Sequence, residues 1–509
     1  MLEGLLSGFG NVFTIDHLLL LFGGVMVGVI VGCIPGLNGL MAITLCIPLT
    51  YVMDLNTALI FLLGIYNGGI YGGSISAILL GTPGAACATC TVLDGFPMAL
   101  KGQSGKALKM ALFASVQGCI TSCLVLIFFA RPVSRLALYF GPDEYTLLVL
   151  MALTMVGAVA GESMIKGLLA AVLGIWLSTI GMDPLAAISR YSLGNTYLMN
   201  GLQRTAVFFG LLTMPMILNQ IEKIAHQKPG EQRTSLLPPP ASKADTRVSF
   251  KEWLSALPTM IRGSLIGVVF GALPALGATP AAFFSYQVAS QHSKHKELFG
   301  KGCLQGVAAS ESANNGTVGA TFVPLLAFGI PGDSDTAMLL TAFMIKGISM
   351  GPTLFTQHQD TVYTIYTALI SSNLVLLVAM LLMLRFFNKI SKAPQSVIFP
   401  CVLMACCIGI YAMRQNITDV FVMIIFAVIG YVLKLMDFPS APAILGMLLG
   451  GTFERSIRQS LLISKNSLSI FFSSAIDWIF WAIIVIVIVS VILSRRKKNV
   501  KPVVNTEGE

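Results

Sequence analysis

Charge is what this sequence has least of. Only 11% of its 509 residues are Asp, Glu, Lys or Arg, against 55% hydrophobic ones; soluble domains carry roughly 25% charged residues. So few charged side chains, gathered in clusters, cannot keep a water-facing surface of this size solvated. An ordinary soluble enzyme, a disordered chain and a secreted disulfide scaffold are excluded. The composition is that of an integral membrane protein made almost entirely of spans.

Other absences narrow the function. There are five histidines, His17, His226, His292, His295 and His358. None stands beside a plausible nucleophile, and neither Glu162 nor Asp183 has an evident partner. Without a G-x-x-x-x-G-K-[ST] loop the chain does not hydrolyse ATP itself. No basic stripe interleaved with aromatics occurs, so the net charge of +9 does not point to nucleic acid. Its Lys and Arg sit in short clusters between apolar runs: Lys101, Lys106 and Lys109; Arg385, Lys389 and Lys392; Arg495 to Lys498. That is how cytoplasmic loops of membrane proteins are marked. Cys87-Ala-Thr-Cys90 has C-x-x-C spacing but neither a second pair nor a nearby His, and reads as small core hydrophobes. No metal and no cofactor are expected. The start, Met1-Leu2-Glu3, lacks a basic n-region and a cleavage site, so the apolar stretch from Leu18 to Val31 is expected to remain as a span.

What is present is apolar sequence cut into lengths. The runs predict an all-α integral membrane protein with about 10–12 transmembrane helices, the rest being re-entrant or broken. The most polar stretch, Glu222 to Glu252, carries Pro238-Pro239-Pro240, which removes three successive donors and cannot form a membrane helix. It divides the chain into a first membrane half (1–221), a linker (222–257) and a second half (258–460). A last span with a basic tail (461–509) follows, and its Arg495-Arg496-Lys497-Lys498 run places the C-terminus in the cytoplasm.

The halves look related. Gly32-Cys33-Ile34-Pro35-Gly36-Leu37-Asn38-Gly39 resembles Gly271-Ala272-Leu273-Pro274-Ala275-Leu276-Gly277. Further on, Gly81-Thr82-Pro83-Gly84 resembles Gly329-Ile330-Pro331-Gly332. The two prolines are 48 residues apart in the first half and 57 in the second, a polar insertion at 292–297 supplying the excess. Corresponding Gly/Pro interruptions in two halves point to a transporter binding site. In lipid every backbone N–H and C=O must be paired, so such breaks belong where protein or a watery cavity covers them. There, freed N–H groups at a half-helix N-terminus suit an anion, and freed carbonyls a cation.

The flanks supply the chemistry. Candidate substrate-binding residues are Pro35, Gly36, Asn38, Ser74, Thr82 and Gly84 from the first half, and Asn314, Asn315, Pro331 and Gly332 from the second. Glu311, Ser312, Asp333 and Asp335 are the candidates for a coupling cation, because an ionisable group inside a membrane is costly and marks function. For Glu311 the competing reading is a helix cap at an interface. A membrane-embedded enzyme would need a nucleophile with its base, or paired aspartates on facing helices. Neither is found, and Asp333 and Asp335 are spaced so that a helix would not put them on one face.

Seven runs in order carry a resemblance. They are Ile34-Pro35-Gly36, Tyr71-Gly72-Gly73-Ser74-Ile75, Thr82-Pro83-Gly84, Asp94-Gly95-Phe96-Pro97-Met98, Gly141-Pro142-Asp143-Glu144-Tyr145, Glu311-Ser312-Ala313-Asn314-Asn315 and Gly329-Ile330-Pro331-Gly332. On these the chain resembles the large membrane subunit of the tripartite tricarboxylate transporters. The resemblance implies a secondary transporter of the bacterial inner membrane, importing a small carboxylate such as citrate by symport with Na+ or H+. It implies two protein partners, a small membrane subunit and a periplasmic substrate-binding protein, and an elevator-like motion. The alternative is a passive channel or scaffold subunit. Asn38, Gly316 and Met350-Gly351-Pro352 depart from the family pattern, where Gly, Ala and Pro-Gly-Pro are expected.

Overall fold

The computed structural model describes residues 1–34, 37–159, 163–183, 186, 188–215, 217–218, 222, 238, 240, 242–274, 276–390, 403–404, 406–411 and 414–499. It is an all-α membrane protein. The helices of seven or more residues are α1 (Leu2–Val12), α2 (Ile15–Gly32), α3 (Gly39–Cys46), α4 (Leu55–Leu80), α5 (Thr89–Leu100) and α6 (Ser104–Ala137). Next come α7 (Pro142–Val159), α8 (Met164–Ser178), α9 (Phe250–Ala272), α10 (Ala278–His292), α11 (Leu304–Gly316) and α12 (Phe322–Phe328). The last are α13 (Ser334–Ile345), α14 (Gln359–Ile390), α15 (Ile417–Leu435), α16 (Ser440–Ile463) and α17 (Ala475–Asn499). Among the described residues, six helices are long and apolar enough to cross a membrane, and several shorter apolar ones, α3, α8 and α13 among them, are not. The β-structure described is one antiparallel ribbon pairing Gly181–Met182 with Ser189–Arg190.

Two compact units are present, and they cut across the sequence halves. One comprises Met1–Tyr139 and Gln203–Tyr431, the other Phe140–Leu202 and Val432–Glu509. Of the polar linker, residues 223–237, 239 and 241 lie outside the described residues, and its last part, from Phe250, is already the start of α9.

Within the first unit the order of elements repeats. A long helix (α2; α9) leads through a Pro-containing break to a shorter one (α3; α10), and then to a buried Gly-rich helix (α4; α11). Both α4 and α12, the helix after α11, end on a glycine in left-handed conformation, Gly81 at φ 66° and Gly329 at φ 71°. Each glycine opens a Pro-Gly turn, and left-handed backbone there favours glycine.

The paired helices meet backbone to backbone. Gly24, Gly28 and Gly32 of α2 face Gly64, Gly68 and Gly72 of α4, a small-xxx-small stripe on both partners. A Cβ on Gly72 would stand 2.6 Å from the Val29 carbonyl, and one on Gly28 would stand 2.7 Å from the Gly69 nitrogen. In the repeat, Gly263 and Gly267 of α9 face α11, where a Cβ on Gly267 would lie 2.8 Å from Gly316 Cα, and Gly271 meets Thr317 and Ala320 just beyond its end. Glycine weakens an isolated helix; here tertiary packing prevails, since every residue of α4 from Ala58 to Leu79 is buried.

The second unit packs α7 and α8 against α16, and α17 against α7. Arg190 binds Glu454 at 2.5 Å and Arg458 binds Asp183 at 2.9 Å, bracing the ribbon to α16. Glu144 accepts from the Gly141 N–H at 2.8 Å and Asp477 from the Ser474 N–H at 2.9 Å. These carboxylates stand at the starts of α7 and α17, where negative charge is favoured.

Candidate functional site

The site is built from the buried helix α11 outward. Glu311 lies in its middle, with no exposed surface, so it is not an interfacial cap. Hydroxyls from three other helices converge on its carboxylate. Ser74 of α4 donates to Oε1 at 2.7 Å, Thr91 of α5 donates to the same oxygen, and Ser115 of α6 donates to Oε2 at 3.1 Å. Asn315, one turn on, donates through Nδ2 to Ser115 Oγ at 2.9 Å. No Lys or Arg forms an ion pair with Glu311 among the described residues. Hydrogen bonds to a charged group contribute about 1.5–3 kcal/mol each, which offsets part of the cost of burying it.

Beside this cluster the protein leaves polar atoms unused. Both side-chain polar atoms of Asn314, and Oδ1 of Asn315, are buried without a hydrogen-bond partner. The Cys87 thiol lies beside Asn314, a weak partner at best. Buried polar groups are nearly always satisfied by protein, water or ligand, so an orphaned amide marks a place for something else.

The helix breaks adjoin it. Asn38 caps α3, accepting from the Met41 N–H at 2.9 Å. Asp333 caps α13 in a capping box, accepting from the Thr336 N–H at 2.8 Å. The two helix starts are neighbours: a Cβ on Gly39 would lie 3.7 Å from Asp335 Oδ2. Asp335 and Glu311 both act electrostatically on the Cys87 thiol. One neighbourhood thus holds the Glu311 cluster, Asn314, Asp335 and the N-termini of α3 and α13.

Not every expected residue joins it. Ser312 turns away toward α9, where it faces Gly263. Asp333 spends one oxygen on its own helix. Gly84 and Gly332 are buried packing contacts, against Gly73 and Thr321 respectively, and Pro331 is buried beside Gly332. Thr82 is exposed in the turn after α4. Pro35 and Gly36 lie outside the described residues.

Three contributors were not picked out from sequence. Thr91 and Ser115 are single hydroxyls in apolar runs and carry no local signal. Asp94 had one, the Asp94-Gly95-Phe96-Pro97-Met98 run. It is 1% exposed and accepts from the N–H groups of Gly302 and Cys303 at 2.8 and 2.7 Å and from the Tyr286 hydroxyl at 2.8 Å. It ties α5 to the start of α11 and so sets where Glu311 stands. Asp94→Ala is expected to lower stability by about 3 kcal/mol, since several partners lose a charged acceptor; thermal unfolding in detergent measures it.

Residues 18–445 match the model of the tripartite tricarboxylate transporter TctA family. The chain belongs to that family. It is therefore a component of a membrane transport system, as the seven sequence runs implied. A 52.8 kDa protein from the TAR-I ttuC′ 3′ region of Agrobacterium vitis is 31% identical over 503 residues, covering 98% of either chain. A protein from the TAR-II ttuC′ 3′ region of the same organism is 34% identical over 214 residues, covering 42% of this chain and 87% of its own. No solved structure matches. The Glu311-Ser312-Ala313-Asn314-Asn315 run and both Pro-Gly turns fall within the TctA match, so the geometry above belongs to the family-defining part of the chain.

Proposed function

We propose that this TctA-family chain is the large membrane subunit of a binding-protein-dependent secondary transporter that imports a small carboxylate, tricarboxylate-like, together with Na+ or H+. A small membrane subunit and a periplasmic binding protein complete the system in the bacterial inner membrane, with the C-terminus of this chain in the cytoplasm. The observation that carries this reading is the juxtaposition of orphaned Asn314, two helix N-termini and two carboxylates.

The amide N–H groups of Asn314, and the first-turn N–H groups that the Asn38 and Asp333 caps leave free at the starts of α3 and α13, are donors for a substrate carboxylate. Glu311 and Asp335 would repel that same anion. A cation or proton at these carboxylates removes the repulsion, so anion and cation bind well only together, which is the thermodynamic content of symport. The hydroxyls of Ser74, Thr91 and Ser115 suit this role. Each donates to a bare carboxylate and, by rotating, turns its lone pairs toward a bound cation.

Asn314→Ala is expected to abolish uptake of labelled citrate into proteoliposomes while leaving the unfolding temperature nearly unchanged, because the amide's one neighbour in the fold, the Cys87 thiol, is a weak partner. Undiminished uptake would remove Asn314 from the site. The channel reading predicts a different result for the unaltered protein: citrate equilibrates and is never concentrated.

A further inference from the structure

A recess lies in the same unit, between the end of α6 and the start of α14. It is a cavity of roughly 210 Å³ into which Arg131 and Arg135 open, together with Phe128 and Tyr366. Neither guanidinium has an ion-pair partner among the described residues. Tyr366 is 3% exposed and its hydroxyl has no hydrogen-bond partner, and Arg131 acts electrostatically on it. Two unpaired cations and a buried, unanswered hydroxyl around one cavity describe an anion site. Arginine's fork of donors fits phosphate oxygens in particular.

The position in the helix selects the kind of anion. Between Lys109 and Arg131 α6 carries no charged residue, and those 22 residues span about 33 Å, close to the ~30 Å hydrocarbon core of a bilayer. Arg131 therefore sits at headgroup depth. Below it on the same face are Phe128 at 57% and Leu124 at 48% exposure, the i, i+4 and i+7 positions of one helical stripe. An apolar stripe one acyl chain wide, ending in two arginines over a cavity, matches a lipid and not a free solute.

We infer that this recess binds the phosphodiester headgroup of an anionic phospholipid. The Arg131 and Arg135 guanidinia hold the phosphate, the Tyr366 hydroxyl donates to one of its oxygens, and an acyl chain lies along Phe128 and Leu124. Such a lipid fastens α6, which carries Ser115, to α14.

Native mass spectrometry of the delipidated protein titrated with phosphatidylglycerol, with phosphatidylcholine, or with inorganic phosphate tests this. Wild type is expected to retain one phosphatidylglycerol in preference to phosphatidylcholine. Arg131→Gln/Arg135→Gln should weaken that retention by about tenfold or more, the size of losing charge-assisted hydrogen bonds. Arg131→Lys/Arg135→Lys should keep most of it. Tyr366→Phe, which removes only the hydroxyl, should give a smaller loss and serves if the double Gln variant does not fold. Equal retention of the two lipids, or unchanged retention in both the double Gln and the Phe variant, would overturn the assignment. Displacement of phosphatidylglycerol by inorganic phosphate alone would overturn the lipid and leave a soluble-anion site.

Discussion

Glu311→Gln is expected to give a folded protein that no longer concentrates citrate. The Gln carbonyl still accepts from the hydroxyls of Ser74 and Thr91, and its amide NH2 can donate to the Ser115 hydroxyl in place of the bond that Ser115 gave to Oε2, so the unfolding temperature should move little. The negative charge that calls for a cation is gone, however, and the site behaves as though permanently neutralised. Coupling between two ligands is typically 1–3 kcal/mol, or roughly 5–150-fold in affinity, and that is the scale of cation dependence expected to vanish. Substrate exchange across the membrane should continue while gradient-driven accumulation stops. Counterflow and uptake assays on the same proteoliposomes separate the two. Accumulation at wild-type level would make Glu311 a structural group and move the coupling to Asp335.

The second large effect concerns folding. Gly28→Val and Gly267→Val, at equivalent places in the two repeats, each drive a side chain into the backbone of the facing helix, α4 or α11. Neither helix can withdraw, because both are buried all round by other elements. A cost of about 3 kcal/mol or more is expected, enough to leave little folded protein in detergent. Gly23→Val is the control on the same helix, since a Cβ there meets nothing within 4 Å; it should be tolerated. Size-exclusion profiles of the three variants decide the matter. Normal profiles for all three would show that the close approach is not needed for stability.

The parts of this architecture that depend on backbone chemistry were legible in the sequence. Gly81 and Gly329 announce themselves because left-handed backbone favours glycine, and the proline two residues on in each turn fixes where the helix cannot continue. Glu311 and Asn314 are conspicuous because polar groups deep in apolar sequence are expensive. Thr91 and Ser115 were not legible. A hydroxyl in a span can satisfy itself on its own helix, as Thr121 does on the Gln117 carbonyl, so its presence in a run says nothing about which neighbour it will reach. The role of Asp333 was hidden for a related reason: a carboxylate at a break reads as a ligand, yet the Thr three residues on turns it into a cap. The grouping of 140–202 with 432–509 depends on contacts between distant segments, for which neither the proline-rich linker nor the charge clusters give any indication.

The central claim is that anion and cation bind at one site and only together. The most direct measurement is accumulation of labelled citrate in proteoliposomes holding this chain with its small subunit and binding protein, under an imposed Na+ or H+ gradient. The internal concentration is predicted to rise above the external one with one of the two gradients and to fall back when an ionophore dissipates it. Equilibration to equal concentrations whatever the gradient would contradict the account and leave a passive channel.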